Sequence, residues 1–90
     1  MNLNLNNKYA LVCGSTAGIG KATALALAEE GANITLVARN EDKLKAVLAE
    51  LPKHRNHDYI VADFSNPMEL KEKVESYIKN NHGFHVLVNN

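Results

Sequence analysis

Apolar positions in this chain come in two alternating rhythms. One is the short unbroken block: Tyr9-Ala10-Leu11-Val12 before Cys13, Ile34-Thr35-Leu36-Val37-Ala38, Tyr59-Ile60-Val61-Ala62 and Phe84-His85-Val86-Leu87-Val88. The first of these is continuous rather than alternating, which suits a strand covered on both faces, as in a parallel sheet. Strands are therefore predicted over 8–13, 33–38, 58–62 and 84–88. The other rhythm is helical. Leu44, Val47, Leu48 and Leu51 fall at i, i+3, i+4 and i+7, which makes one apolar stripe. Ile19, Ala22, Thr23, Ala26 and Leu27 suggest a similar, alanine-rich stripe over 18–30. Leu70, Val74, Tyr77 and Ile78 predict a buried stripe on a third helix.

The punctuation between blocks supports these elements. Asn7 stands before the first strand, where a turn with positive φ is tolerated by Asn. Gly31 is a natural left-handed stop for the first helix. Asn40 is placed to cap the second helix, with Glu41 and Asp42 in its first turn and Pro52 limiting its end. Asn66-Pro67-Met68-Glu69 is the strongest helix start: an Asn cap, Pro at the first helical position and Glu placed to close a capping box. Asn80 to Gly83 ends that helix. The order is β-α-β-α-β-α-β with short links. It predicts an α/β, Rossmann-type doubly wound parallel sheet with right-handed crossovers and strand order 3-2-1-4. In such a sheet the ligand crevice lies at the carboxyl ends of strands one and four, where the winding direction switches.

Composition narrows the classes. Ninety residues make one domain at most, and 46% apolar with 22% charged residues is ordinary globular usage. Ten basic residues balance ten acidic ones, which leaves no footprint for nucleic acid or an anionic membrane. One cysteine excludes an internal disulfide framework and a cysteine-based zinc site. The start lacks a charged and apolar leader, and no run reaches membrane-spanning length, which points to a cytoplasmic protein. His54/His57 and His82/His85 are spaced by three but lack a third ligand, so no metal is expected. His57 and His85 are expected at the amino ends of strands.

The candidate chemistry sits at Gly14-Ser15-Thr16-Ala17-Gly18-Ile19-Gly20, between the first strand and the first helix. Gly14 can turn the chain, Gly18 can let backbone approach a phosphate, and Gly20 can let the helix lie close to the sheet. Exposed amides and the positive end of the helix then favour an anion. Gly20-Lys21 resembles the end of a P-loop, but Ser15 and Ala22 stand where that motif needs Gly and Ser/Thr. A dinucleotide pyrophosphate is the better ligand. At the end of the second strand, where an acidic residue would meet an unphosphorylated ribose, stands Arg39, which suits a 2′-phosphate. NADP(H) is thus expected over NAD(H), and Ala17, just before the second glycine, adds no further cation.

These residues resemble the N-terminal part of the short-chain dehydrogenase/reductase family. The family opens with T-G-x-x-x-G-x-G, here Cys13 to Gly20, with Cys13 in place of Thr. Cys13 is read as a small buried residue. The family places an Asp and an apolar residue after the third strand, here Asp63-Phe64, and N-N-A-G after the fourth, here Asn89-Asn90. The resemblance implies that Asp63 accepts from the adenine amino group, with Phe64 lining that pocket and Asn90 near the nicotinamide ribose. Asp63 could instead cap the turn before Asn66. The resemblance also implies NAD(P)-dependent hydride transfer on a small-molecule carbonyl/alcohol pair, as in a 3-oxoacyl-carrier-protein reductase, by a homodimer or homotetramer. Catalysis would use a Ser and a Tyr-x-x-x-Lys beyond N-N-A-G. Tyr9, Tyr59 and Tyr77 are followed four residues later by Cys13, Asp63 and Asn81. The chain thus reads as the N-terminal part, truncated after the fourth strand, of a single NAD(P)-binding domain (1–90) of an oxidoreductase. As an isolated piece it is expected to be marginally stable. A non-catalytic nucleotide sensor or scaffold is the alternative.

Overall fold

A computed structural model describes residues 4–53, 55–63 and 65–89. The elements run β1 (Tyr9–Cys13), α1 (Gly18–Glu29), β2 (Asn33–Ala38), α2 (Glu41–Glu50), β3 (Asp58–Val61), α3 (Pro67–Asn80) and β4 (Val86–Asn89). All strand pairs are parallel and the order is β3-β2-β1-β4. The order predicted from the sequence is thus the one found. β2 is buried along its whole length and β1 over Ala10–Cys13, as expected for central strands with helices on both faces.

Each face of the sheet has its own core. On one, Ala10, Val12, Ile34 and Leu36 pack with Ala24 and Ala28 of α1 and with Leu44 and Val47 of α2. On the other, Leu11, Cys13, Val37 and Ala62 receive Leu70 and Val74 of α3. This split follows from the winding. The crossovers β1-α1-β2 and β2-α2-β3 step one way, and β3-α3-β4 steps back past β1 with the same hand, so its helix lands on the opposite face.

Several local expectations hold. Asn7 has φ 65° and Gly31 φ 101°. Asn40 Oδ1 accepts from the Lys43 amide at 3.1 Å, and Asn66 Oδ1 from the Glu69 amide at 3.3 Å. Burial raises the pKa of the Cys13 thiol, as suits a small residue inside the sheet.

Three expectations are corrected. The buried face of α1 is Gly20, Ala24 and Ala28, while Ile19 is 74% exposed and Ala22 and Ala26 are exposed. Small residues at every fourth position let the helix approach the sheet, so size and not hydrophobicity sets its phase. The stripe on α3 is only half-buried at Leu70, Val74 and Tyr77, and Ile78 is 42% exposed, because among the described residues this helix meets only the outer side of the second core. The capping box stays open. The Asn66 amide donates to the Asp63 carbonyl at 2.9 Å, and the Glu69 carboxylate pairs instead with Lys73 at 3.2 Å. Strand ends also shift slightly, with β1 starting at Tyr9, β3 ending at Val61 and β4 starting at Val86.

Candidate functional site

The carboxyl end of β1 is where the chain leaves the sheet. The Gly14 amide still donates to the Val37 carbonyl of β2 at 2.9 Å, and then the backbone turns with φ 72°. Cys13 is registered against both Val37 and Asn89, so the ends of β1, β2 and β4 lie level. Gly18 opens α1 with φ 57°, a conformation that costs an L-residue about 1–2 kcal/mol. A Cβ at Gly18 would meet nothing within 4 Å. The positive φ, not crowding, is therefore what favours glycine there, and the space beside it is open.

The start of α1 differs from the other two helix starts. α2 and α3 each have an Asn cap and an acidic residue in the first turn. At α1 the cap position is Ala17, which offers no side-chain hydrogen bond, and the first turn has no acid. Its first amides are left to an external acceptor, and the positive end of the helix dipole is uncompensated. Ser15 adds a second unmet demand. It is fully buried, and its Oγ has no hydrogen-bond partner among the described residues. Such a group is expensive unless something supplies a partner. Lys21 is occupied elsewhere, paired with Glu50 at 2.8 Å, which removes the phosphate-binding lysine of a P-loop.

Beside this corner is a cavity of about 560 Å³. Gly14, Thr16 and Ala17 form one wall, and Ala38, Arg39, Asn40 and Lys43 the other. It lies between the ends of β1 and β2. Its lining holds two cations and no carboxylate. Among the described residues neither Arg39 nor Lys43 is in an ion pair. Asn40 and Lys43 are absent from the sequence-derived set. Lys43 lies one turn beyond Arg39, and a strand end followed at once by a capped helix start brings both to the lining.

Asp63 lies near Arg39 without lining the cavity. Its Oδ1 accepts from Ser65 twice, from the hydroxyl at 2.6 Å and the amide at 2.9 Å. These bonds, the side-chain one first, hold its carboxyl below the usual range, and the Arg39 charge adds to them against some desolvation. Asp63 therefore caps the turn with one oxygen, while Oδ2 accepts no hydrogen bond among the described residues. Ile19 stands exposed on the first turn of α1 and Gly20 is buried against the sheet. Phe64 and Asn90 lie outside the described residues, as does His54.

The opposite edge of the sheet carries polar groups of another kind. His85 Nδ1 accepts from the Tyr9 amide and His57 Nδ1 from the Ile34 amide, both at 3.0 Å. Both histidines thus stand at the amino ends of strands, as expected. Thr35 Oγ1 and the Tyr77 hydroxyl donate to the two oxygens of Asp58 at 2.6 and 2.5 Å. Burial and the bond to Asp58, against a smaller opposing effect of Thr35, push the Tyr77 hydroxyl up to about 12. His82 lies 3.2 Å from that hydroxyl and rests its ring on Tyr9, centroids 3.8 Å apart. The Thr35–Asp58–Tyr77 part of this network is invisible from spacing, because its members are 19 to 42 residues apart.

A parallel 3-2-1-4 sheet with a glycine corner and an uncapped helix start at its switch point defines a Rossmann-type protein. The family model for short chain dehydrogenase matches residues 8–90, and the chain belongs to that family. It is 46% identical over 85 residues to a glucose 1-dehydrogenase of Gluconobacter oxydans, covering 92% of this chain and 32% of that protein. The fold superposes with a TM-score of 0.88 on L-sorbose reductase from Gluconobacter frateurii, solved with NADPH and L-sorbose. Identity there is 35%, covering all of this chain and 35% of that one. A blue fluorescent protein from a metagenomic library, in complex with NADPH, gives a TM-score of 0.86 at 36% identity, covering 97% of this chain and 37% of that one. The chain spans about a third of the length of the curated relative it matches. Among the described residues no helix is long and apolar enough to cross a membrane.

Proposed function

We propose that this chain is the cofactor-binding part of an NADP-dependent reductase that moves hydride between nicotinamide and a carbonyl/alcohol substrate. The observation that carries the cofactor choice is the cavity beside Gly14, which has Arg39 at the end of β2 and no acidic lining residue. An unphosphorylated ribose is usually met there by a carboxylate. Two similar structures hold NADPH.

The residues present fit the group. The uncapped amides of Gly18 to Gly20 and the Ser15 hydroxyl suit a pyrophosphate, and the open space at Gly18 leaves room for it. Arg39 suits the 2′-phosphate with its planar fork. Thr16 and Ala17 shape the wall against the adenosine, and Ile19 stands on the first turn of α1, where the ligand leaves the corner. Asp63 keeps Oδ2 for the adenine amino group while Oδ1 holds the turn, and Phe64 and Asn90 keep the roles the family pattern implies. The cofactor supplies the hydride; this part of the chain binds, orients and neutralises charge. The carbonyl class includes sugars and 3-oxoacyl thioesters, and oxidoreduction in the whole protein would be assayed on both, together with whether it is a homodimer or homotetramer. The test of the cofactor reading is calorimetric titration of the intact protein with NADPH and NADH. NADPH is expected to bind more tightly, and Arg39→Asp to remove that preference. Equal affinities, or unchanged NADPH binding in Arg39→Asp, would overturn it.

A further inference from the structure

We infer that Lys43 is the second cation of the 2′-phosphate subsite and helps set cofactor specificity in place of a basic residue at position 17. This rests on the NADP reading above and deepens it.

Three observations carry it. First, Lys43 lines the same cavity as Arg39, on the wall facing Thr16 and Ala17. Arg39 directly follows β2, Asn40 caps α2, and Lys43 is the third residue of α2. The bond from the Lys43 amide to Asn40 Oδ1 fixes the backbone of that turn, so the side chain starts from a determined place. Second, the cations have no contact ion pair. No lining residue is acidic, and among the described residues neither cation has an ion-pair partner. Of the carboxylates at this end of the sheet, Glu41 accepts from the Tyr59 hydroxyl at 2.9 Å, and Asp63, which feels the Arg39 charge, holds Ser65 with Oδ1 and does not line the cavity. Asp42, also on the first turn of α2, is exposed. Third, the opposite wall carries only the methyl of Ala17 and the hydroxyl of Thr16, so any further charge must come from the α2 side. A phosphate monoester carries about −1.5 to −2 charges at neutral pH. One guanidinium neutralises part of that; two cations on one wall match it. An NADH ribose has no group that asks for either.

The experiment uses the intact protein and four probes: 2′,5′-ADP, which carries the 2′-phosphate, 5′-AMP, which lacks it, NADPH and NADH. Dissociation constants are measured by calorimetry for the wild type, Lys43→Gln and Lys43→Arg. Loss of one charge-assisted bond at a partly exposed site should weaken 2′,5′-ADP and NADPH about tenfold. Binding of 5′-AMP and NADH should stay within about twofold, the scatter of a surface change. Lys43→Arg should restore most of the loss, and raising salt should penalise 2′,5′-ADP more in the wild type than in Lys43→Gln. The side chain is exposed and only its amide caps the helix, so melting temperatures should match. Wild-type affinity for 2′,5′-ADP in Lys43→Gln would overturn the inference, as would an equal loss of 5′-AMP. If the wild type fails to prefer NADPH over NADH, the parent reading fails and Lys43's role with it. That outcome is read before any variant is made.

Discussion

The two edges of the sheet both carry polar groups and treat them in opposite ways. At the amino edge, the Tyr9 amide of β1 and the Ile34 amide of β2 meet His85 and His57, and Thr35 and Tyr77 close on both oxygens of Asp58. At the carboxyl edge, Ser15 Oγ is buried without a partner, the amides opening α1 have no cap, and Arg39 and Lys43 face a cavity without a carboxylate. A polar group satisfied by its own chain holds the fold. One left unsatisfied in a well-packed place does not, and it suits an external partner. The difference is therefore testable: changes at the amino edge should cost stability, and changes at the carboxyl edge should cost binding.

The widest contrast is between two glycines with positive φ. At Gly31 a Cβ would fall 2.3 Å from Asn6 Oδ1, on top of a φ of 101°. Gly31→Ala should lose about 3 kcal/mol of unfolding free energy in denaturant melts, from strain and overlap together. Gly18→Ala meets open space and carries only the backbone term of about 1–2 kcal/mol, yet should weaken NADPH the more strongly. Equal stability losses would erase the contrast. Next comes Tyr77→Phe, expected to lose about 1–2 kcal/mol by removing the donor to Asp58. It also has a pH signature. The hydroxyl is held at about 12 against an ordinary 10, so its protonated form is favoured in the fold. That stability is fully present below about pH 10 and is lost as pH rises toward about 12. Wild-type stability should fall faster than that of Tyr77→Phe across this window, by less than the about 2.7 kcal/mol of a full two-unit shift, since the ring is only half-buried. Parallel curves would assign the network no role.

His85→Ala should cost about 1 kcal/mol, because the Tyr9 amide loses its acceptor at an edge water can reach. The smallest effect has the opposite sign. Ser15→Ala removes a buried hydroxyl that nothing meets, so the unliganded protein should keep its melting temperature or gain slightly, by up to about 1 kcal/mol, while NADPH binding weakens. A marked loss of stability in Ser15→Ala would show that the carboxyl edge is structural after all.

The fold was legible because its punctuation is local. Asn40, Asn66-Pro67 and Gly31 mark element ends through their own backbone chemistry, and the regular alternation of strand and helix with short links marks a parallel sheet. The phase of α1 was not legible. In a helix of Ala, Leu, Gly and Ile the apolar residues surround the axis, and only close approach to the sheet selects Gly20, Ala24 and Ala28. The depth of α3 was misjudged for a related reason: its spacing gives a face but not what that face meets. At the site, the glycine corner and Arg39 could be read from one short window each. Lys43 could not, since a lysine in the first turn of an amphipathic helix looks the same whether it faces water or a cavity. Asp63 was readable only as two alternatives, and the structure gives its Oδ1 to the turn.

α3 has no fully buried residue, and β4 alternates between half-buried and exposed positions along its length. In these ninety residues taken by themselves, such a segment opens before the rest. Under native conditions its amides should exchange with solvent by a partial unfolding, while those of β1 and β2 wait for global unfolding. The glycine corner belongs to the slow group, since its turn is tied to β2 and its helix packs on the opposite face of the sheet. The phosphate seat would thus persist through fluctuations that repeatedly release its neighbour, two clocks running within one sheet.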